Sequence, residues 1–136
     1  MSIVDPYSKY LENQVKTATP GKLLVMTFDG AIRFSRIALE KMKEHKLDEQ
    51  SLNISKVQNI LIELMSTLNH KVDSQLAANL DALYTYMFDQ LTDANIHDNT
   101  QALEEVIQML IELRMSWAEA ELSVRTSSAG QEALAA

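Results

Sequence analysis

The chain has 136 residues, of which 46% are hydrophobic and 23% charged, and this size and composition are typical of one compact domain with an ordinary core. The absence of cysteine excludes disulfides, thiolate metal sites and a cysteine nucleophile, and three glycines and two prolines leave too few turn residues for an all-β or doubly wound fold. The net charge of −7 is uneven: residues 1–72 hold ten basic and eight acidic residues, whereas residues 73–136 hold two and eleven. The acidic half disfavours binding to nucleic acid, and the chain is predicted to be all-α.

Apolar residues at helical spacing within residues 1–18 predict a short helix or a mobile arm. Thr19 follows as a predicted helix N-cap, and Pro20 as the first helical residue, because proline lacks only an N–H that would be unpaired there. A long helix is predicted from Pro20 to about Lys46. Its apolar positions cover more than one stripe, so we expect other helices to contact it on two sides.

Two further helices are predicted in the middle of the chain. A polar connector at residues 47–51 precedes the second long helix at 52–72, and a tight turn at 73–74 precedes the third at 75–94. Asn95 is a candidate C-terminal cap, since asparagine tolerates the left-handed conformation. The short connectors predict that neighbouring helices are antiparallel.

The fourth long helix is predicted to begin with a capping box, because Gln101 follows Asp98 at the required spacing. It is expected to end near Arg125, before a flexible tail at residues 126–136 that is small and polar. The predicted architecture is an antiparallel up-down four-helix bundle over residues 19–125, preceded by the arm, with the whole chain forming a single domain.

The sequence lacks the patterns that catalysis requires. It contains no Glu-x-x-His pair, so the di-iron site known from helical bundles is not encoded, and its three histidines are widely spaced. It also has no glycine-rich phosphate loop and no Gly-x-Ser-x-Gly turn. We therefore expect neither an enzyme nor a bound metal or cofactor, and we assign the seven methionines to core packing or an adaptable surface.

The sequence contains no run of 18 apolar residues, and its N-terminus begins with polar and charged residues instead of the hydrophobic region of a signal peptide. We therefore expect no membrane insertion and a location in the cytoplasm.

Gly30 follows Asp29 inside the predicted first long helix, where glycine costs about 1 kcal/mol relative to alanine. Two interpretations explain why glycine occupies this position despite its cost. Either Gly30 allows a neighbouring helix to cross closely, or it leaves a thin place on the helix where part of a partner lies.

Large apolar residues also exceed what the narrow seams of a bundle use. A bundle absorbs some of them by widening its apolar faces, and the rest would form an exposed patch. On a water-soluble domain such a patch is typical of a protein-binding surface, and a groove between long helices suits an amphipathic helix. The residues outside the seams include Val25, Met26, Phe34, Ile60, Ile62, Met65, Tyr84, Tyr86, Phe88, Met109, Ile111, Met115 and Leu122.

Several short motifs, in this order and spacing, resemble the flagellar secretion chaperone family, FliS, from about Tyr7 to Trp117. Phe28 stands where family members often have tyrosine, and Asp73-Ser74 where they often have Gly-Gly. The motifs are Tyr7-Ser-Lys-Tyr10, Val15-Lys-Thr-Ala-Thr-Pro20, Phe28-Asp29-Gly30-Ala31-Ile32, Asn53-Ile54, Lys56-Val57-Gln58, Ile60 through Leu64, Asn79-Leu80, Leu83-Tyr84-Thr-Tyr86-Met87 and Leu113-Arg114-Met-Ser-Trp117.

The resemblance implies a four-helix bundle that binds the disordered C-terminal segment of flagellin in the cytoplasm. The segment becomes partly helical in surface grooves, is thereby kept from premature filament assembly, and is delivered to the export gate protein FlhA of the flagellar type III secretion system. For this chain the predicted flagellin-binding residues are Tyr7, Tyr10, Leu24, Phe28, Asp29, Ile62, Met65 and Tyr84.

Other interpretations are kept open. The arm either lies over part of the flagellin groove and moves when flagellin binds, or is a permanent fifth helix of the core. The main alternative function is a structural bundle that self-associates through its apolar patches and has no role in export. A bundle metalloenzyme is a third possibility, which predicts metal retained through purification. The free chain is expected to be a monomer or a weak dimer.

Overall fold

A computed structural model describes the backbone of residues 6–135 and the side chains of residues 6, 8–124 and 126. Within this part of the chain all regular structure is helical, as predicted. The five helices are α1 (Pro6–Thr17), α2 (Pro20–Lys43), α3 (Leu47–Ser66), α4 (Ser74–His97) and α5 (Thr100–Ala135).

Helices α2 to α5 form a four-helix bundle in which α2 packs on α3 and α5, and α4 packs on the same two helices from the other side. Side-chain contacts show that neighbours are antiparallel. From α2 to α5, Thr19 reaches Glu121 near one end and Lys43 reaches Glu104 near the other. The predicted antiparallel four-helix bundle with an additional N-terminal helix is confirmed.

The core runs along the axis of the bundle and takes residues from all four long helices. Most of its largest buried side chains are aromatic or aliphatic, and several alanines are buried among them. The fully buried members include Phe28, Ile54, Val57, Leu61, Tyr84, Met87, Leu91, Leu103, Val106 and Leu110.

The start of α2 is confirmed as predicted. The Thr19 side chain accepts a hydrogen bond from the Lys22 N–H at 3.2 Å, and Pro20 is the first helical residue. The helix ends at Lys43, three residues before the predicted end, because His45 adopts the left-handed conformation with φ of 58°.

The boundaries predicted for the second long helix are wrong at both ends. Helix α3 begins at Leu47, since Asp48 and Glu49 in its first turn interact favourably with the positive end of the helix dipole. It ends at Ser66 and not at Val72, because polar side chains after Leu64 bond to the backbone and compete with the helix. Ser66 Oγ donates to the Glu63 carbonyl at 2.7 Å, Thr67 Oγ1 donates to the Leu64 carbonyl at 2.8 Å, and Asn69 Oδ1 accepts from the Lys71 N–H at 3.0 Å.

The connection between α4 and α5 also differs from the prediction. Asn95 lies within α4, and Asp98 is not an N-cap: it ends α4 in the left-handed conformation with φ of 50°. The neighbouring Asn99 performs the capping, since its Oδ1 accepts from the Ala102 N–H at 3.2 Å. Helix α5 continues through Ala135, so the end predicted near Arg125 is wrong, and residues 126–135 of the segment predicted as a flexible tail are helical.

The buried face of α4 includes Tyr84, which was predicted to lie outside the narrow seams. Leu76 and Leu83 are exposed, whereas Ala77 and Tyr84 are buried. The buried positions of α4 repeat at three and four residues and favour small side chains near both ends. They are Ala77, Leu80, Tyr84, Met87, Leu91 and Ala94.

We predict that Thr19→Ala lowers the free energy of unfolding by about 1 kcal/mol, because the α2 N-terminus loses its cap. The measurement is urea unfolding followed by circular dichroism. Thr19→Ser is the control, since its hydroxyl keeps the hydrogen bond and most of the stability. Equal stability of the alanine and threonine proteins would show that the cap does not contribute.

Candidate functional site

The core is open to solvent at the end of the bundle where α2 and α4 begin and α3 ends. An apolar cavity of about 310 Å³ lies here, and we call it the end cavity. Val72, 81% exposed, and Leu76 present apolar surface to solvent at its mouth. The lining comes from four helices and the α3–α4 connection: Leu24, Leu64, Thr67, Leu68, Asn69, Val72, Asp73, Leu76, Ala77, Leu80, Tyr84 and Trp117.

Trp117 separates the end cavity from a second apolar groove between the start of α2 and the second half of α5. This α2–α5 groove has a volume of about 340 Å³. Because one indole contributes to both spaces, they form neighbouring parts of one apolar surface around the end of the bundle. The groove is lined by Thr19, Pro20, Gly21, Trp117, Ala120, Glu121 and Val124.

A third groove lies where α1 folds back beside α2. Leu11 and Val15 of α1 form one wall of this α1–α2 groove, whose volume is about 510 Å³. Helix α1 therefore leaves much of the facing surface of α2 uncovered. The α2 side is lined by Leu23, Met26, Thr27, Asp29, Gly30 and Arg33.

The two glycines of α2 have opposite surroundings. A Cβ added to Gly21 would lie 2.8 Å from Cγ of Glu121, so Gly21 is where another helix approaches closely. A Cβ added to Gly30 would have no neighbour within 4 Å. The interpretation of Gly30 as a close helix crossing is wrong, and the structure is consistent with the alternative, a thin place on the helix that faces a groove.

An ion pair crosses the surface beside Gly30. Arg114 Nε of α5 donates to Asp29 Oδ1 of α2 at 2.8 Å, and both side chains are partly exposed. Such a pair stabilises a fold by about 1 kcal/mol or less, because water screens it. Asp29 thus lines the α1–α2 groove, and its charge is already partnered by Arg114.

The predicted flagellin-binding residues do not form one cluster. Leu24 and Tyr84 line the end cavity. Met65 is half-buried between α3 and α4, where Thr85 Oγ1 lies 3.7 Å from its sulfur, and Ile62 is exposed one turn earlier on α3.

One other is placed where the prediction did not expect it, and one is not described. Phe28 is 0% exposed and belongs to the core, so it lines no groove in this structure. Its position follows from α2 being contacted by both α3 and α5. Tyr10 is exposed on α1, and the side chain of Tyr7 lies outside the described residues.

Tyr84 combines a buried ring with a place at the cavity. The residue is 2% exposed, and burial raises the pKa of its phenol above the ordinary value. The hydroxyl is therefore neutral at physiological pH. A mostly apolar wall suits an uncharged side chain of a partner better than a charged one.

Among the described residues, no group of three His, Asp or Glu side chains is arranged to hold a metal ion. The same part of the chain contains no helix with the length and hydropathy needed to span a bilayer.

Comparison with known proteins assigns the chain to a family. The family model described as flagellar protein FliS matches residues 3–124. The chain belongs to the FliS family. This confirms the resemblance that the sequence motifs indicated.

Relatives in several bacteria carry the name flagellar secretion chaperone. FliS of Bacillus subtilis (strain 168) is 36% identical over 135 residues, which cover 99% of this chain and 100% of that protein. FliSB of Pseudomonas aeruginosa is 32% identical over 79% of this chain and 85% of its own length. FliS of Vibrio cholerae is 30% identical over 79% of each.

A solved structure described as a crystal structure of a flagellar chaperone from bacteria has the same fold. The TM-score is 0.72 at 21% identity, and the match covers 86% of this chain and 95% of that one. The helical-bundle fold of this chain is therefore consistent with its membership of the FliS family.

Ten of the twelve residues that line the end cavity were not among the predicted binding residues of this FliS family member, Leu68, Val72 and Trp117 among them. Leu68 and Val72 were predicted to lie within a second long helix that reaches residue 72, and Trp117 within the fourth. The signal that could have identified the first two is the polar run Ser66-Thr67, which ends the helix before them. For Trp117, no such signal exists, because its burial depends on where α5 meets α2.

We predict that Gly30→Ala raises the free energy of unfolding by about 1 kcal/mol, since alanine favours the helix and meets no neighbour. The measurement is urea unfolding of both proteins. Gly21→Ala is the matched control in the same helix, and crowding against Glu121 offsets its gain. A loss of stability in Gly30→Ala would contradict the open surface described above.

Proposed function

We propose that this chain is a cytoplasmic chaperone that binds the disordered C-terminal segment of flagellin in its surface grooves. While the segment is covered, it cannot pack into a filament, and the complex is delivered to the flagellar type III export gate through FlhA. The proposal rests on membership of the FliS family and on the names of its relatives.

The observation that carries this proposal is the end cavity together with the exposed apolar residues at its mouth. Val72 and Leu76 are large apolar side chains in solvent beside an unfilled apolar space. A partner helix that places apolar side chains there would cover this surface. Such recognition requires anchors at helical spacing and little polar chemistry.

Binding a disordered segment requires that a large apolar surface be buried. Ordering such a segment costs on the order of 2–5 kcal/mol, which requires about 80–200 Å² of buried apolar surface at about 25 cal/mol per Å² simply to offset it. The end cavity and the adjoining α2–α5 groove together offer space for several side chains. A segment that fills both therefore offsets part of this ordering cost.

We infer that the chain is not an enzyme. Its relatives are named for chaperone activity, and the grooves are lined mainly by apolar side chains and not by convergent titratable groups.

The role proposed for the arm is to cover part of the binding surface in the free protein. Leu11 is half-buried against α2, while Tyr10 and Val15 remain exposed, so α1 is attached by few apolar contacts. A weakly attached amphipathic helix is readily displaced by a longer one. We propose that flagellin displaces α1 and that the free chain is a monomer or a weak dimer.

We predict that a peptide of the flagellin C-terminal segment binds the chain and that Leu76→Ser weakens binding by about tenfold, as expected for loss of one buried leucine. The measurement is isothermal titration calorimetry. Leu52→Ser is the matched control, because Leu52 is an exposed leucine of α3 that lines none of the grooves described.

A folded, soluble chain that does not bind the peptide would overturn the chaperone proposal. If it instead associated with itself through the same apolar surface, sedimentation would show concentration-dependent oligomers, and the structural alternative would be correct. If Leu76→Ser and Leu52→Ser weakened peptide binding equally, the end cavity would not be part of the binding site.

We predict that deletion of residues 1–15 strengthens binding of the same peptide and lowers the free energy of unfolding only slightly, because α1 competes with the peptide. Calorimetry and urea unfolding on the truncated chain test this. Unchanged affinity with a sharp loss of stability would show instead that the arm is a permanent fifth helix.

A further inference from the structure

A separate groove lies on the outer face of α4 and α5. It has a volume of about 250 Å³ and an apolar floor, and it shares no lining residue with the end cavity, the α2–α5 groove or the α1–α2 groove. We call it the α4–α5 groove. It is lined by Leu83, Met109, Glu112, Leu113 and Ser116.

The exposed apolar surface continues beyond the groove towards the other end of the bundle. Leu83 and Tyr86 are both exposed on α4, and Tyr86 faces Glu105 of α5. From Glu105 to Ser116 the α5 side extends about 16 Å at a rise of about 1.5 Å per residue. This length accommodates about three turns of a helix.

Two carboxylates along this face accept hydrogen bonds from uncharged side chains. Tyr86 Oη donates to Glu105 Oε1 at 2.6 Å, and Gln90 Nε2 donates to Glu105 Oε2 at 3.1 Å. Gln108 Nε2 donates to Glu112 Oε1 at 3.3 Å. The hydrogen bond to Glu105 raises the pKa of Tyr86, so the phenol keeps its proton.

These charges have no cationic partner within the described side chains. Neither Glu105 nor Glu112 forms an ion pair there, whereas Lys41 on the opposite side of the bundle contacts both Glu44 and Glu49. The sequence contains no Lys or Arg from residue 73 to 113. The next basic residue, Arg114, is turned towards Asp29 of α2.

We propose that the α4–α5 groove binds a second protein through an amphipathic helix of about three turns that carries Lys or Arg beside its apolar positions. The apolar side chains of that helix contact Leu83, Met109 and Leu113. Met109 adapts to different shapes, since its side chain is flexible and polarisable. The flanking cations approach Glu105 and Glu112.

The charge pattern is what selects this partner. An apolar helix alone would leave two ionised carboxylates partly covered and unpaired, which is unfavourable, whereas a helix with cations at its edges pairs them. The proposal does not rest on the proposed function. Because the α4–α5 groove and the end cavity share no lining residue, both can be filled at once.

The probe for this proposal is a designed 14-residue helical peptide with leucines on one face and lysines at its edges. A second peptide has the same leucines and glutamates in place of the lysines. Each carries a fluorophore and is titrated with the full chain by fluorescence anisotropy. We expect the lysine peptide to bind at least tenfold more tightly than the glutamate peptide, and its affinity to fall with added salt.

Variants of the chain test whether the lysine peptide binds in the α4–α5 groove. Glu105→Gln combined with Glu112→Gln is expected to weaken binding of the lysine peptide roughly 3- to 10-fold, as for the loss of two exposed ion pairs. Leu83→Ser is expected to weaken it by about tenfold. The matched controls are Glu63→Gln combined with Asp89→Asn, which makes the same change in net charge, and Leu52→Ser. Both controls are expected to leave the affinity unchanged.

Three results would overturn the proposal. Equal weakening by the control charge variant would mean that the peptide responds only to the net charge of −7. Competition between the lysine peptide and a flagellin C-terminal peptide would place both in one site. Concentration-dependent association of the chain that Leu83→Ser abolishes would mean that a second copy occupies the groove.

Discussion

The early end of α3 is the feature on which the proposed binding surface depends. Hydroxyl groups of Ser66 and Thr67 bond to the preceding carbonyls, so the backbone leaves the helix there and reaches α4 only at Ser74. Had α3 continued to Val72, its apolar residues would have closed the bundle. Instead Leu68 and Val72 line a space that the core leaves unfilled.

Helix α2 links this opening to the rest of the surface. It packs against α3 and α5 with its buried face, and its first half also lines the end cavity, the α2–α5 groove and the α1–α2 groove. Gly21 allows α5 to approach, and Gly30 leaves the helix thin where α1 does not cover it. One helix thus serves both the core and the surfaces proposed to bind flagellin.

Much of the fold was predictable because helical periodicity and the lack of turn residues are strong local signals. The capping of α2 by Thr19 follows from two adjacent residues. Some helix ends were predicted wrongly because a short polar side chain bonds to the backbone and ends a helix that the apolar periodicity would continue, as at Thr67. Others were predicted wrongly because two neighbouring residues were both candidates for a cap and the backbone conformation decides between them, as at Asp98 and Asn99.

The site was less predictable, since it depends on how helices meet. Phe28 and Leu24 lie one helical turn apart on α2, yet the first is fully buried and the second lines a cavity. Periodicity places both on an apolar face but does not say where the neighbouring helix ends. Family resemblance identified the FliS family without locating a groove.

Hydrogen exchange of the full chain with and without a flagellin C-terminal peptide tests the central claim most directly. The account predicts that the peptide protects amides of residues 67–77 and those around Trp117, where the end cavity opens, and leaves amides at the opposite end of the bundle unchanged. Protection confined to that opposite end, or absent from residues 67–77, would contradict it.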